Sequence, residues 1–137
     1  MPHVLFLCTG NSCRSQMAEG FFRALAPKGM TVESAGTNPI GLHPRAVAAM
    51  AEAGIDISGH HSKGITPEGY ARATHIVTVC GHADQRCPAP PPGVPKEHWP
   101  IDDPAASSGD EAETLASFRR IRDELRGRVE RLIRELG

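Results

Sequence analysis

Short unbroken apolar runs alternate along the chain with longer stretches in which apolar residues recur every three or four positions. Val4–Leu7 is the first run and predicts a buried parallel strand. It is followed by a helical stretch over Gln16–Leu25, with Met17, Ala18, Phe21, Phe22 and Leu25 on one face and with Pro27 and Gly29 beyond its end. Thr31–Ser34 predicts a second strand. A second helix carries Pro44 in its first turn, runs through Ala46, Val47 and Met50, and stops at Gly54. Residues 56–69 are polar and rich in His and Gly, and predict a loop with one helical turn near Thr66-Pro67; His60-His61 in it are expected to face solvent. His75–Val79 is the third strand, ended by Cys80-Gly81. Five of the twelve prolines fall between Pro88 and Pro95, which predicts an irregular loop. Glu97–Ile101 reads as a fourth strand near a sheet edge, because Pro100 has no N–H for a ladder.

The clearest element is the last, a helix from Asp110 to Leu136. Leu115, Phe118, Ile121, Leu125, Val129, Leu132 and Leu136 form its apolar stripe. Ser108 with Glu111, or Asp110 with Glu113, can supply a capping box, and Glu130 with Arg134 an i,i+4 pair. The arginines of this helix are expected on a solvated face. Strands alternating with helices in this way imply a single α/β domain over residues 1–137, with an open, mostly parallel sheet. Ligands of such sheets bind beyond the carboxyl ends of the strands. Loops 8–15, 80–95 and 101–106 all follow strands, so they should gather at one edge.

Composition narrows the function classes. A net charge of −1 argues against non-specific nucleic-acid binding, and 4% aromatics leave little for base stacking. The start of the chain shows neither a basic leader nor an apolar core of signal-peptide length, and no run approaches the roughly 20 apolar residues of a membrane helix. The expectation is a cytoplasmic protein that does not bind a membrane, monomeric because no apolar stripe is left over. In that reducing compartment four cysteines point to thiol chemistry or metal binding more than to static disulfides. Cys80-x-His82 and Cys8-x4-Cys13 do not give the paired short spacings of zinc sites, so no metal is expected.

The chemistry concentrates in Cys8-Thr9-Gly10-Asn11-Ser12-Cys13-Arg14-Ser15. A loop between a strand and a helix can turn its backbone N–H groups inward around a tetrahedral oxyanion, helped by the partial positive charge of the helix N-terminus. Arg14 can clamp two oxygens in a fork. A thiol at a helix N-terminus beside a cation is favoured in its nucleophilic thiolate form, which suits Cys8 to attack, and Ser15 can donate a hydrogen bond to its sulfur.

The string from Cys8 to Gly20 resembles the phosphate-binding loop shared by low-molecular-weight protein tyrosine phosphatases and thioredoxin-coupled arsenate reductases. The resemblance implies a four-stranded parallel α/β fold and an oxyanion held by Thr9, Gly10, Asn11, Ser12, Cys13 and Arg14. Within that group it is closer to the reductases, through Cys80…Cys87-Pro88, His98–Ala105 and the Phe118–Asp123 helix. The phosphatases typically follow Asp-Pro with tyrosines; here Asp103-Pro104 is followed by Ala105-Ala106. What the reductase resemblance implies is a three-thiol relay. Cys8 attacks arsenate while Asp103 protonates the departing oxygen, with Asp102 as a possible substitute. Cys80 then attacks Cys8, releasing arsenite, and Cys87 attacks Cys80. A thioredoxin or glutaredoxin would reduce the final disulfide. Cys13 has no electron-transfer role and is expected to shape the loop. The alternative is hydrolysis of phosphate monoesters by the same loop. Some relatives bind potassium behind the loop through Asn, Glu, Ser and an Asp. Asn11, Glu19 and Ser34 match, but Lys63 stands where the Asp would be, so the expectation is that its ammonium takes the place of the ion and no cofactor is needed.

Overall fold

The computed structural model describes residues 1–79, 90–106 and 109–137. Its four strands are β1 His3–Cys8, β2 Thr31–Gly36, β3 His75–Thr78 and β4 Lys96–His98, all parallel in the order β2-β1-β3-β4. The helices are α1 Arg14–Leu25, α2 Pro44–Glu52, α3 Pro67–Arg72 and α4 Glu111–Leu136, with a 3-10 turn at Pro104–Ala106. The expected open parallel α/β sheet is present. Among the described residues no helix is long and apolar enough to cross a membrane.

The central strand β1 is buried from Val4 through Cys8, as a continuous apolar run between two neighbours requires. α1 lies against β1 and β2 and packs on α2 and α4. Phe6 meets Phe22 edge-on at 6.2 Å and Trp99 at 5.6 Å between ring centroids. Burial of each such ring stabilises the fold by roughly 1.5–3 kcal/mol. Tertiary packing shifted several boundaries. β4 ends at His98, before Pro100, so the proline lies outside the ladder and the strand starts one residue earlier than expected. The helical turn near Thr66-Pro67 extends to Arg72, with the Thr66 side chain accepting from the Gly69 N–H.

Of the two caps available to the last helix, Asp110 is used: its Oδ1 accepts from the Glu113 N–H at 2.8 Å. Thr114 is buried on the stripe, while Leu115 is only partly covered. Leu25 is also displaced from its expected place: at the end of α1 it projects into solvent, 38% exposed. Glu130 pairs with Arg126 at 3.8 Å, not with Arg134. The solvated-arginine expectation holds at Arg119, whose side chain is 46% exposed, and fails at Arg122, at 13%. Arg119 forks Glu52 of α2 at 2.8 and 2.7 Å, and Arg122 reaches Glu52 and the Ala49 carbonyl, at 3.2 and 2.9 Å. A helix wheel shows which side of α4 is polar, but not that α2 supplies a carboxylate within reach of it.

The sheet's carboxyl edge is shaped by Gly36. It lies opposite Cys8 in the β1–β2 register, where the chain leaves β1 for the loop. A Cβ on Gly36 would stand 2.6 Å from the Thr9 carbonyl oxygen and 2.8 Å from the Asn11 nitrogen, both backbone atoms that cannot swing aside. A Cβ on Gly59 meets nothing within 4 Å. Gly36→Ala should therefore cost roughly 1–3 kcal/mol in urea unfolding and alter the alkylation rate of Cys8. Gly59→Ala should stay within about 0.5 kcal/mol of the parent. Equal stability of the two variants would contradict the close approach at Gly36.

Candidate active site

The loop leaving β1 presents its carbonyl oxygens outward, and each from Cys8 to Cys13 has a donor. The Thr37, Asn38 and Ile40 N–H groups donate to Cys8, Thr9 and Gly10 at 3.2, 2.8 and 3.0 Å. Gln16 Nε2 donates to the Asn11 carbonyl at 3.2 Å, the His43 N–H to Ser12 at 3.0 Å and the Met17 N–H to Cys13 at 2.8 Å. In a planar trans peptide the C=O and the following N–H point in opposite directions. Six carbonyls tied outward thus leave the amides of Thr9 to Arg14 facing inward, the array an oxyanion needs. The segment 37–43, an unremarkable linker in the sequence, is the brace that enforces this.

Cys8 lies at the floor of the loop, buried. The Asn11 N–H donates to its Sγ at 3.1 Å, and the Ser15 hydroxyl lies 3.0 Å from the same atom. The amide thus aims a hydrogen at the sulfur, and the Ser15 hydroxyl is within reach to do the same. Cys13, five residues on, is a different thiol. Burial first, then the nearby Asp103 and Cys8, push its pKa up to about 12. It stays protonated at physiological pH, with its Sγ 3.9 Å from Asp103 Oδ1. Two cysteines in one loop therefore do not compete as nucleophiles.

Arg14 begins α1, and its side chain is only 13% exposed. Its Nη1 donates to the Ile101 carbonyl at 2.9 Å, which fixes the guanidinium plane, and Nη2 lies 3.8 Å from Asp103 Oδ2. Its buried Nε has no protein acceptor among the described residues. Asp103 comes from the loop after β4; its Oδ1 accepts from the Ala105 N–H at 3.0 Å. At 42% exposure its carboxyl can exchange protons with solvent. Cys8, Thr9, Gly10, Ser12, Cys13, Arg14 and Asp103 line one cavity of about 340 Å³. Loops 8–15 and 101–106 meet there as expected. Asp102 is exposed and does not line the cavity, so Asp103 is the carboxyl in place. Cys80 and Cys87 lie outside the described residues.

Behind the loop is a second polar layer. Asn11, at φ 47°, is the one non-glycine residue with positive φ among those described. Its Nδ2 donates to Ser15 and Ser34 at 2.9 and 3.0 Å; its Oδ1 accepts from Gln16 Nε2 and the Lys63 N–H at 3.0 and 2.9 Å. Ser34 donates to buried Glu19 at 2.6 Å. Glu19 also meets Arg23 at 3.0 Å, Lys63 Nζ at 3.8 Å and His60 Nδ1 at 3.8 Å. His60 is not the solvent-facing residue expected: it is partly buried and lies 3.0 Å from Gln16 Oε1. Burial, the largest influence, lowers its pKa below the ordinary histidine value, aided by Arg23 and Lys63 and opposed by Glu19. Among the described residues there is no group of three or more His, Cys, Asp or Glu able to hold a metal ion.

Sequence reasoning did not find His43, Asn38 or Ile40 on the cavity wall, nor Gly36 and His60 in support. The one available signal was the His43-Pro44 pair, where a capping residue at a helix start falls near the ligand edge of the sheet.

Comparison with known proteins agrees with this geometry. The profile of the low molecular weight phosphotyrosine protein phosphatases matches residues 3–137. An arsenate reductase of Bacillus licheniformis is 50% identical over 128 residues, 93% of this chain and 92% of that protein. A solved arsenate reductase in a phosphate-binding state superposes with a TM-score of 0.82 at 35% identity, over the whole of both chains. A thioredoxin-dependent arsenate reductase of Corynebacterium glutamicum gives 0.81 at 26% identity, over all of this chain and 64% of the other. With the loop geometry, the profile match from one end to the other and half of its residues shared with a reductase, the chain belongs to the low molecular weight phosphotyrosine protein phosphatase family, on its arsenate reductase branch.

Proposed function

We propose that this protein reduces arsenate to arsenite through a relay of three thiols, recharged by a thioredoxin-type dithiol protein, as a cytoplasmic monomer serving arsenic detoxification. The observation that carries the proposal is an oxyanion loop built around Cys8 in a chain that has a further cysteine pair, Cys80 and Cys87, and is half identical to an arsenate reductase. The thioredoxin-dependent neighbour supports the choice of reductant.

Arsenate sits in the inward amides with Arg14 on its oxygens. The Cys8 thiolate attacks arsenic, an S–As bond forms, and one oxygen leaves as water with a proton from Asp103. Cys80 then attacks Cys8 Sγ: the S–S bond forms, the S–As bond breaks, and its electron pair stays on arsenic, which leaves as arsenite. Cys87 attacks Cys80, frees Cys8 and leaves a Cys80–Cys87 disulfide for the external dithiol. Overall, arsenate and a dithiol become arsenite, a disulfide and water. Phosphate lacks an accessible lower state for a thiol to reach, so a bound phosphate is a competitor and not a substrate. Hydrolysis of an aryl phosphate needs only Cys8, Arg14 and Asp103. The cavity wall beside Asp103 is Ala105, which offers no aromatic surface to stack a phenyl ester.

No cofactor enters this cycle. The Lys63 ammonium, 3.8 Å from Glu19 Oε1, supplies positive charge behind the loop where a potassium ion would otherwise neutralise a buried carboxylate.

Arsenite formation with a thioredoxin system should be sustained in the parent and fall to at most a single turnover in Cys80→Ser and Cys87→Ser, while slow aryl phosphate hydrolysis survives in both. Multiple turnover by Cys80→Ser alongside brisk phosphatase activity would sink the relay. Replacing potassium by sodium at fixed ionic strength should leave the arsenate rate unchanged, and a severalfold drop would refute the role given to Lys63. Arg14→Ala should lose on the order of a hundredfold or more in kcat/KM for arsenate.

A further inference from the structure

One ring on the cavity wall, His43, has no task in the cycle above. It is held from three sides. Its backbone N–H donates to the Ser12 carbonyl at 3.0 Å, its Nδ1 accepts from the Arg45 N–H at 3.1 Å, and its ring packs against Phe118, 4.9 Å between centroids and tilted by 41°. A ring nitrogen that accepts from an amide carries no hydrogen, so the hydrogen of the neutral imidazole is on Nε2. Burial first, then the Arg45 cation, lower the pKa of His43 below its ordinary value, against the opposite pull of Asp103. At neutral pH the ring is therefore uncharged and its tautomer is set. No hydrogen-bond acceptor for Nε2 is found among the described residues, and the ring lines the same cavity as Cys8, Arg14 and Asp103.

We propose that His43 is a substrate-positioning residue whose Nε2–H donates a hydrogen bond to an oxygen of the tetrahedral oxyanion at the rim of the loop. Its Nδ1 anchor on α2 makes it an aimed donor, not a rotating one. The Ser12 carbonyl, itself part of the loop, ties that anchor to the site, so ring and loop keep a common frame. A neutral donor adds affinity for an oxyanion without placing a further cation beside Arg14. The inference rests on the reading of the cavity as an oxyanion site, and holds whether the bound oxyanion is reduced or only released.

Two variants separate the ring's tasks. His43→Asn keeps an acceptor for the Arg45 N–H, since Asn is among the best N-caps, but has no atom where Nε2 stood. His43→Gln gives up the cap and places an amide N–H near the Nε2 position. The measurements are equilibrium titration of the reduced protein with inorganic phosphate, KM and kcat for arsenate, and the melting temperature. For His43→Asn the phosphate Kd and arsenate KM should rise about threefold to tenfold, the worth of one neutral hydrogen bond, with kcat changed less than about twofold and melting lowered only by the lost contact with Phe118. His43→Gln should melt lower yet bind phosphate within about twofold of the parent. Parental phosphate affinity in His43→Asn, or equal weakening in both variants, would overturn the inference and leave His43 a helix cap alone. Weakened phosphate binding in His43→Asn, in a protein whose parent forms no arsenite, would uphold this inference while ending the reductase reading.

Discussion

Six carbonyl oxygens from Cys8 to Cys13 turned away from the cavity are the constraint on which the rest of the site depends. Backbone polar groups that are buried must be paired, and a peptide plane pointing its oxygen outward has no choice but to point the next N–H inward. The anion-binding face is thus a consequence of pairing on the opposite face. That pairing comes from the segment 37–43 and from α1, through the Met17 amide and the Gln16 side chain. Ser62 adds a second donor to the Gly10 carbonyl, at 3.0 Å. The cradle is preorganised because its amides are turned inward by the surrounding protein before any ligand arrives, which is the condition under which such donors act most strongly on developing charge.

Asn11 closes the arrangement. A left-handed conformation in a non-glycine residue costs on the order of 1–3 kcal/mol and persists only where the surroundings over-determine it. Here both donor positions and two acceptor positions of its side chain are engaged. The same amide links the reactive layer, through Ser15, to the buried Glu19, through Ser34. A carboxylate this deep is unfavourable without cations and donors, and Arg23, Lys63 and Ser34 are the response. Electrostatics behind the loop and geometry within it are in this sense one structure.

The environment also divides the labour of the two loop cysteines. Cys8 receives an amide N–H and faces a hydroxyl, while Cys13 is surrounded by burial and a carboxylate that oppose its ionisation. Identical side chains five residues apart are thus given different surroundings by where their sulfurs point, with no difference in local composition to announce it.

What the residues make legible in order along the chain is what short-range physics can encode. The buried run of β1, the strand-loop-helix passage at Cys8–Ser15, the alternation that makes the sheet parallel and the apolar stripe of α4 all depend on local periodicity and turn chemistry. Cys8, Arg14 and Ser15 stand out because they lie in a strand-loop-helix passage, whereas Asp103 is singled out only by the family resemblance of its Asp-Pro segment. Partners that lie far apart in sequence are set by the folding of the chain as a whole. His43 reaches the cavity and Gly36 shoulders the loop because segments some thirty residues downstream fold back on it. Arg122 leaves the solvated face because α2 offers Glu52 and a free carbonyl, and His60 turns inward because Gln16 and Glu19 await it. Hydrophobic period reports which face of an element is covered; it carries no information about which polar group stands across the gap.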